Sequence, residues 1–491
     1  MKNVRFYNTN PLVIREKSVT FVVLNQKKPH MGKISHFTDK NQEFSEKIYF
    51  PSVNNFKLEA TTDAMDLSSH GGLLLLQREE EHLALASQLA SCIKDTRTPY
   101  LVRHSLEEII MTRIFQICLG YEDVNDCDRM RRDPMMQLAV DTGALDKELC
   151  SSATMCRFEN MVTDEDLLRV QEMFLTMFIL SYGGKAPGHI ILDCDDTYVD
   201  TYGNQQLTLF NAYYDSYCYM PLMVFEGYTG RMILPLLKPG RKNKAVSFED
   251  TILWLIACLR EVWPNTIITV RGDSHFCSHE LMDWACLNDR RVFIITGLAR
   301  NNVLENHPVT KEDVERVRHD YELFHHPVRT YGEFRYKAGT WTLQQRVVVK
   351  AEYTEKGELN VRFIVTNIRN IDKQSLYENT YCGRGCDELF IRQFKEGVNG
   401  DRLSCHTFKA NRLRIFIHAA AYMLLHSLRE RALRGTSLEK ASILTVREKL
   451  LLYAVSVRKL KTKVIIDFAK RHPMIEELRH CLHYYSDGHP T

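Results

Sequence analysis

A run of charged residues late in the chain has the spacing of one helix face. Residues 381–395 read Tyr-Cys-Gly-Arg-Gly-Cys-Asp-Glu-Leu-Phe-Ile-Arg-Gln-Phe-Lys. In a helix, Arg384, Glu388, Arg392 and Lys395 would fall at i, i+4, i+8 and i+11, along one side. A lone carboxylate in a basic stripe suits a site that holds a metal ion against a polyanion. A solvated helix with i,i+4 ion pairs is the alternative interpretation, and two other acidic centres weigh against it.

Each of the other two acidic centres follows an apolar strand candidate. An Ile-Ile-Leu run leads into Asp193, Asp195 and Asp196, and a Thr-Ile-Ile-Thr-Val run leads through Arg-Gly to Asp273. Side chains alternate along a strand, so Asp193 and Asp195 are expected on one face and Asp196 on the other. Carboxylates at strand ends commonly build divalent-cation sites. The sequence therefore predicts such a site.

Two metal-dependent chemistries compete for these residues. The first is that of the haloacid-dehalogenase-like phosphatases, whose Asp-x-Asp-x-Thr loop is matched by residues 193–197. Asp193 would then accept a phosphoryl group and Asp195 would act as general acid over one magnesium ion. A second acid is expected four or five residues after Asp273, but Cys277 and Ser278 stand there. This interpretation also leaves the charged stripe unexplained.

The second chemistry is two-metal cleavage and transfer of a phosphodiester. Three separated carboxylates hold two ions, one of which activates the attacking oxygen while the other stabilises the leaving oxygen. Asp195, Asp273 and Glu388 supply the three carboxylates, at gaps of 78 (273 − 195) and 115 (388 − 273) residues. The longer gap contains a predicted β-hairpin insertion.

The composition is that of an ordinary folded protein with room for several domains. The chain has 491 residues, of which 44% are hydrophobic and 26% charged, with a formal net charge of +2. Such a balance argues against disorder. The fourteen cysteines form no Cys-x-x-Cys pair and are expected to be reduced thiols. No apolar run reaches the roughly eighteen residues of a membrane span, and no signal peptide is recognisable, so we expect no membrane partner and a cytoplasmic location.

Patterning along the chain predicts an α/β protein in which a helical region precedes the acidic centres. Residues 105–110 begin with Ser and carry Glu three positions on, a capping box. Residues 340–353 and 359–368 are β-branched runs around a Thr-Glu-Lys-Gly turn, typical of an antiparallel hairpin. The expected segments are an extension (1–55), a helical region (56–185), a first core part (186–300), a β-rich insertion (301–375), a second core part with the Glu-bearing helix (376–435) and a C-terminal region that is a candidate for dimerisation (436–491).

Three further features are candidates for binding nucleic acid. Residues 136–140, a Gly-containing turn and residues 151–160 could form a helix-turn-helix that presents Arg157, although two packed helices explain the pattern equally well. A basic cluster that includes Lys238 and Arg241 could contact a DNA backbone, or could be a solvated loop. Trp341 lies on the predicted insertion hairpin and is a candidate base-stacking ring, whereas the other tryptophans are expected in the core.

The chain resembles the DDE transposases of bacterial insertion sequences. Tyr381, Arg384, Glu388 and Lys395 match the Tyr-x2-Arg-x3-Glu-x6-Lys pattern of one large branch at every position. Within that branch the chain is similar to the insertion sequence thirteen-eighty group, through Asp-x-Asp-Asp-Thr at 193–197, Tyr-Gly-Asn-Gln at 202–205, Lys-Pro-Gly at 238–240, Arg-Gly-Asp-Ser-x-Phe at 271–276 and, outside the catalytic motifs, Gly-Tyr-Glu-Asp at 120–123, Arg-Asp-Pro at 132–134 and Arg-Phe-Glu-Asn at 157–160. The similarity extends from about residue 60 to the C-terminus.

The resemblance implies an RNase H-like core interrupted by a β-rich insertion and preceded by a helical region that binds DNA ends. It implies two Mg²⁺ (or Mn²⁺) ions held by Asp195, Asp273 and Glu388, and phosphate contacts from Tyr381, Arg384 and Lys395, with Arg392 beside them. The implied activity is cleavage at the inverted repeats and strand transfer into target DNA, by a homodimer near the bacterial nucleoid.

Two ligand positions and one functional question stay open at this point. Asp193 is an alternative to Asp195, which is preferred because Thr197 stands two residues after it, as in related proteins. Asp387 is a weaker alternative to Glu388. A catalytically silent DNA-binding protein derived from a transposase is the remaining functional alternative, and the presence of all three carboxylates argues against it.

Overall fold

The computed structural model describes residues 48–53, 56–60, 66–140, 145, 147–239 and 247–486, the first two ranges as backbone only. The chain divides into two compact units, residues 1–64 and 65–491. The first contains an antiparallel hairpin of β1 (Ile48–Val53) and β2 (Phe56–Ala60). Most of the predicted 1–55 extension lies outside the described residues.

The second unit alternates helices and strands, with seven helices before the first long strand. The strands are β3 Leu67–Ser68, β4 His189–Asp196, β5 Val199–Asp200, β6 Leu209–Asn211, β7 Ser216–Tyr219, β8 Leu222–Glu226, β9 Met232–Leu236, β10 Ile267–Gly272, β11 Val292–Leu298, β12 Val328–Tyr336, β13 Gln345–Tyr353, β14 Leu359–Thr366, β15 Val455–Lys459 and β16 Val464–Phe468. The helices are α1 Leu73–Leu83, α2 Leu85–Cys92, α3 Leu106–Cys118, α4 Asp126–Met130, α5 Pro134–Val140, α6 Ser152–Met161, α7 Asp164–Leu180, α8 Phe248–Val262, α9 His279–Asn288, α10 Asn302–Glu305, α11 Pro308–Phe324, α12 Lys373–Ser375, α13 Gly385–Val398, α14 Phe408–Glu430, α15 Ile443–Val446 and α16 Ile475–Ser486.

A mixed sheet of eight strands forms the centre of the second unit. Its order is β9-β8-β4-β10-β11-β14-β13-β12. β4, β10 and β11 are parallel neighbours, and all other neighbouring pairs are antiparallel. The α/β class predicted from the sequence is confirmed.

The central strands are apolar on both faces because helices cover the sheet. Every residue of β8 and β9 is buried, and residues 190–194 of β4 are buried as well. Such continuous apolar runs are typical of strands enclosed on both sides. On one side lies α14, a 23-residue helix whose buried residues pack against α3, α1 and β9.

Local signals in the sequence explain where several helices begin. The Ser105 hydroxyl accepts a hydrogen bond from the Glu108 amide, and the Glu108 carboxylate accepts one from the Ser105 amide, so the predicted capping box is confirmed. Thr163 and Asp166 form the same arrangement at the start of α7. The predicted helix-turn-helix gains no such support, because residues 141–144 of its turn lie outside the described part of the chain.

The segment between β11 and α12 extends the main sheet. β13 and β14 form the antiparallel hairpin expected from the sequence, and β14 pairs with β11. The segment also contains α11, a 17-residue helix that packs on β12 and β13 and that the β-branched pattern does not reveal. This segment and the central strands therefore share one continuous hydrogen-bonded sheet.

The two ends of the second unit meet in a small antiparallel sheet. β3 pairs with β15, and β15 with β16. Residues near the start of the unit are thereby fixed to its C-terminal region. None of the helices in the described ranges is both long and apolar enough to cross a membrane.

Replacing Phe416 by Ala is expected to cost about 3–5 kcal/mol of unfolding free energy, because it removes a large side chain from the centre of the core. Phe416 is buried on α14, and its ring lies 5.2 Å from that of Phe174 on α7. Chemical denaturation measures the change. Leu168→Ala on the exposed face of α7 is the control and should change the free energy by less than about 0.5 kcal/mol. Equal losses in both variants would contradict this description of the core.

Candidate active site

A buried ion pair joins the two strands that carry the first two acidic centres. Arg271 is the register partner of Asp193 in the parallel pair of β10 and β4. Its Nε and Nη2 donate to Oδ1 and Oδ2 of Asp193, each at 2.5 Å, and both side chains are buried. Both carboxylate oxygens of Asp193 are thus occupied by one guanidinium, so of the two alternatives for the first ligand only Asp195 is accessible.

The same arginine also holds the segment that precedes α13. Nη1 of Arg271 donates to the carbonyl oxygen of Thr380 at 2.7 Å. Two glycines make room for the pair: a Cβ at Gly227 would lie 2.6 Å from Asp193 Oδ2, and one at Gly383 would lie 2.7 Å from Arg271 Nη1. A side chain at either position would collide with the ion pair.

Asp195 and Asp273 lie next to each other at the carboxyl ends of parallel strands. Gly272 is the register partner of Cys194. Asp273 and Asp195 follow these two residues in the chain and therefore lie at the same edge of the sheet. Burial raises the pKa of Asp195 to about 6, with further increases from Asp273 and Asp196 and an opposing effect from Arg384. The carboxylates repel one another at this edge.

Hydrogen bonds orient the carboxylate of Asp273. Its Oδ1 accepts from the amide of His275 at 2.8 Å, and its Oδ2 lies 3.0 Å from His275 Nδ1. The Asp-Ser-His turn thus fixes the position of the second acid at the strand end.

Asp196 is a further acid at the end of β4. It lines the same cleft as Asp195, where its Oδ1 lies 2.5 Å from Lys238 Nζ. Lys238, predicted to contact DNA, is therefore paired with an acid at the site. Arg241 lies outside the described residues.

The helix that carries the third acid begins later than the sequence predicts. Residues Leu376–Tyr381 form a π-helical turn and Cys382–Arg384 a 3₁₀ turn, and α-helical geometry starts at Gly385. The predicted helix over 381–395 is thus wrong in its first turn. Such wide turns inside helices often occur at functional sites.

Arg384 lies among the acids because of this irregular turn. Its Nη1 is 3.4 Å from Asp195 Oδ2. Burial lowers the pKa of Arg384, but the charges of Asp195, Tyr381, Asp273 and Glu388 outweigh burial and raise it. A cationic guanidinium therefore partly neutralises the three predicted metal ligands.

A cleft of about 420 Å³ runs between the end of β4 and the face of α13. Its lining residues are Asp195, Asp196, Thr197, Glu388, Ile391, Arg392, Lys395, Glu396 and Asp401. The structure thus brings Glu388, Arg392 and Lys395 to one face, opposite Asp195. The Lys395 ammonium donates to the carbonyl oxygen of Tyr198 at 2.5 Å, and burial lowers its pKa.

Two adjacent acids on α13 have opposite environments. Glu388 is exposed at the cleft, whereas Asp387 is fully buried and neither of its carboxylate oxygens has a hydrogen-bond partner. Burial, with the negative charges of Asp193 and Asp195, raises the pKa of Asp387 to about 9. Asp387 is therefore a neutral acid at pH 7, while Glu388 is the accessible carboxylate.

Of the remaining predicted site residues, Tyr381 lies near the acids, whereas Arg157 and Trp341 do not line the cleft. Tyr381 is half-buried, with its hydroxyl 3.0 Å from where a Cβ on Gly297 would stand. Burial raises the pKa of Tyr381, and the nearby charge of Asp273 raises it further. Arg157 is exposed on α6 and is not part of the cleft lining. Trp341 is only 9% exposed, with its ring against Tyr336, and is a core residue.

Sequence reasoning missed the roles of Arg271, Asp196 and Asp387. Arg271 could have been found, because a charged residue inside an apolar strand needs a buried partner and parallel strands align it with Asp193. In the part of the chain that the structure describes, no three His, Cys, Asp or Glu side chains are close enough to hold a metal ion as they stand.

The sequence matches the family model described as transposase DDE domain group 1 over residues 50–487. The chain belongs to this family. It is therefore a transposase of the DDE type, an enzyme whose partner is DNA. No curated protein matches it. Among solved structures, it is similar to one described as a cryo-EM structure of the piggyBac transposase synaptic complex with hairpin DNA, at 13% identity, 77% of this chain, 80% of that chain and a TM-score of 0.40.

Replacing Asp193 by Leu should destabilise this transposase by about 3–5 kcal/mol, because Arg271 would be left buried without a counter-charge. Urea denaturation measures the loss, and the double variant Asp193→Leu/Arg271→Met should recover much of it. Asp467→Ala breaks the exposed pair with Arg458 and is the matched control, with an expected cost below about 1 kcal/mol. A double variant no more stable than Asp193→Leu would contradict the pairing.

Asp387 should make the folded state less stable as pH rises. Its folded-state pKa of about 9 lies above the unfolded value of about 3.9, so folding favours the protonated form. The stabilising effect is complete below about pH 4 and is lost as pH rises toward 9. Relative to wild type, Asp387→Asn should therefore gain stability between pH 4 and 9, measured by urea denaturation with EDTA present. A constant difference between the two proteins over that range would show that Asp387 does not titrate there.

Proposed function

We propose that the chain is the transposase of a bacterial insertion sequence, similar to the thirteen-eighty group. It would cut DNA at the ends of the element and join those ends to target DNA, with divalent cations as cofactors. The observation that carries this proposal is the meeting of Asp195 and Asp273 at the ends of adjacent parallel strands, with Glu388 across the same cleft.

The sheet supports an RNase H-like core. Strands β9, β8 and β4 form an antiparallel set, followed by β10 and β11 parallel to β4. We assign these five strands to the core, β12 to β14 with α11 to the insertion, and α13 to the Glu-bearing helix. The helices α1 to α7, with exposed Arg157, are assigned to binding of the transposon ends.

The donor set suits Mg²⁺ or Mn²⁺. Asp195, Asp273 and Glu388 offer only carboxylate oxygens, which hard cations prefer. Burial is the main cause of the raised pKa of Asp195, and Asp273 and Asp196 add a repulsion that a cation would relieve. When bound, two such ions would supply the positive charge that polarises the attacked phosphate. For these three acids to converge on them, Arg384 must turn away from Asp195.

Basic residues around the cleft would hold the DNA backbone. Arg384, Arg392 and Lys395 can donate charge-assisted hydrogen bonds to phosphate oxygens, and Tyr381 can add a hydroxyl donor. Burial lowers the pKa of Lys395 because it disfavours the charged ammonium group, and a phosphate beside that group would oppose this effect. We assign Lys238 the role of holding Asp196 beside the first metal ligand.

The ion pair disfavours the phosphatase alternative. That chemistry needs Asp193 as an exposed nucleophile, but Asp193 is fully buried and Arg271 binds both of its oxygens. A carboxylate held in this way cannot approach a phosphoryl group.

A cleavage assay tests the proposal. The purified protein is incubated with DNA that carries the inverted repeats flanking its own gene, with Mg²⁺ or with EDTA, and products are resolved on denaturing gels. Asp195→Asn, Asp273→Asn and Glu388→Gln should each lower the cleavage rate on the order of a thousandfold or more, since each removes a ligand charge.

Glu396→Gln is the matched control, since Glu396 lines the same cleft on the same helix and is given no catalytic role. It should cut at close to the wild-type rate. Loss of cleavage in Asp387→Asn but not in Glu388→Gln would move the third ligand to Asp387. Hydrolysis of small phosphate esters that only Asp193→Asn abolishes would instead support the phosphatase. Metal-independent cleavage would contradict the proposed chemistry.

A further inference from the structure

An exposed cluster of aromatic rings stands beside the cleft. The chain between β4 and β8, residues 198–219, folds into the three-stranded sheet β5-β7-β6, which we call the aromatic hairpin. Its exposed aromatic side chains are Tyr202, Phe210, Tyr213, Tyr214 and Tyr217. Tyr213 is 87% exposed. Apolar surface gathered in one place on a soluble protein usually marks a binding site.

The aromatic rings contact one another but leave part of their surface exposed to solvent. The centroids of Tyr198 and Tyr214 are 4.3 Å apart at an interplanar angle of 33°, and Tyr213 meets Tyr214 edge to face at 4.9 Å. Phe210 and Tyr217 form a second edge-to-face pair at 5.6 Å. The cluster is thus ordered by its own contacts without being buried by them.

The hairpin is fixed to the segment between α13 and α14. Nε2 of Gln205 donates to the carbonyl oxygens of Leu403 and Cys405, each at 2.7 Å. The backbone amide of Gln206 donates to His406 O at 3.0 Å. The exposed rings are therefore carried by an anchored element, which reduces the entropy that is lost when a ligand binds.

The cluster lies next to the predicted catalytic acids. β4 runs from Asp195 directly into the hairpin, and Lys395 in the cleft donates to the Tyr198 carbonyl oxygen. Asp195 and Asp196 are close enough to act electrostatically on the Tyr214 hydroxyl. The rings are therefore within reach of a strand held at the acids.

Cations accompany the rings. The Arg402 guanidinium lies 5.9 Å from the centroid of the Tyr202 ring. The Lys395 ammonium donates to the Tyr198 carbonyl oxygen, at the start of the hairpin. Open aromatic faces interleaved with cationic groups are the surface that binds unpaired nucleic-acid strands, because each base offers a π-face and each linkage a phosphate.

We propose that the aromatic hairpin binds unpaired nucleobases of the DNA strand next to the cut, by stacking them on its exposed rings. This inference rests on the proposed function, since it takes the substrate to be DNA. It also assigns base stacking to a different element from the one that the sequence suggested, because the buried Trp341 has no open face. A stacking surface of this kind tolerates any base.

Strand binding by the full-length protein, measured by fluorescence anisotropy in EDTA, tests the proposal. The probes are a labelled 12-nucleotide oligo(dT) and an abasic strand with the same number of phosphates. Wild type should bind oligo(dT) more tightly than the abasic strand, by about tenfold for each stacked base. Tyr213→Ala should reduce that preference while leaving abasic binding unchanged, and Tyr213→Phe should retain it because the ring remains.

Tyr100→Ala is the matched control, since Tyr100 is 86% exposed but lies outside the hairpin; it should keep the full preference. Equal binding of the two strands by wild type would overturn the proposal. So would a Tyr213→Ala variant whose only defect is weaker self-association by light scattering, which would assign the surface to a second copy of the chain.

The assay needs no cleavage, so its outcome is separate from that of the proposed function. Cleavage of transposon ends without a preference for base-bearing strands would overturn the stacking inference alone. A base preference that Tyr213→Ala removes, in a protein that cuts no DNA, would overturn the proposed cleavage and leave the hairpin as a strand-binding surface.

Discussion

The bidentate pair between Asp193 and Arg271 is the interaction on which the site depends. One guanidinium bonds a carboxylate on β4 and a carbonyl just before α13, and Arg271 itself lies on β10. The three elements that carry Asp195, Asp273 and Glu388 are therefore connected by a single side chain. A buried pair of this kind adds little net stability, but it is costly to break on one side. Its effect is to fix relative positions.

The pair also separates the roles of neighbouring acids. Asp193 is neutralised by Arg271, Asp196 by Lys238 and Asp195 only in part by Arg384, at the longer distance of 3.4 Å. On α13, Asp387 is kept neutral by burial while Glu388 faces the cleft. Of the several acids gathered here, Asp195 and Glu388 are left accessible at the cleft, and both are among the proposed metal ligands.

Much of this arrangement could be predicted from the sequence, because strand ends and helix faces are local patterns. The apolar run before Asp193 and the spacing of Glu388, Arg392 and Lys395 indicate β4 and α13 directly. What could not be predicted depends on contacts between distant segments. The predicted helix over 381–395 is replaced in its first turn by π-helical and 3₁₀ turns, next to the point where Arg271 holds the Thr380 carbonyl. Trp341 is buried because α9 and β12 supply its neighbours. Helix α11 has a mostly polar sequence and only its packing on β12 and β13 reveals a core-facing side.

The continuity of the main sheet has a consequence for aggregation of the protein. Without the strands β12 to β14, β11 would be an outermost strand, and its unpaired amides and carbonyls would be open to any other extended chain. Strands β12 to β14 move this edge to β12, a strand flanked by α11. The segment between β11 and α12 therefore shields the central strands from pairing with another chain. A shortened transposase without this segment is expected to aggregate, because β11 would become an edge strand.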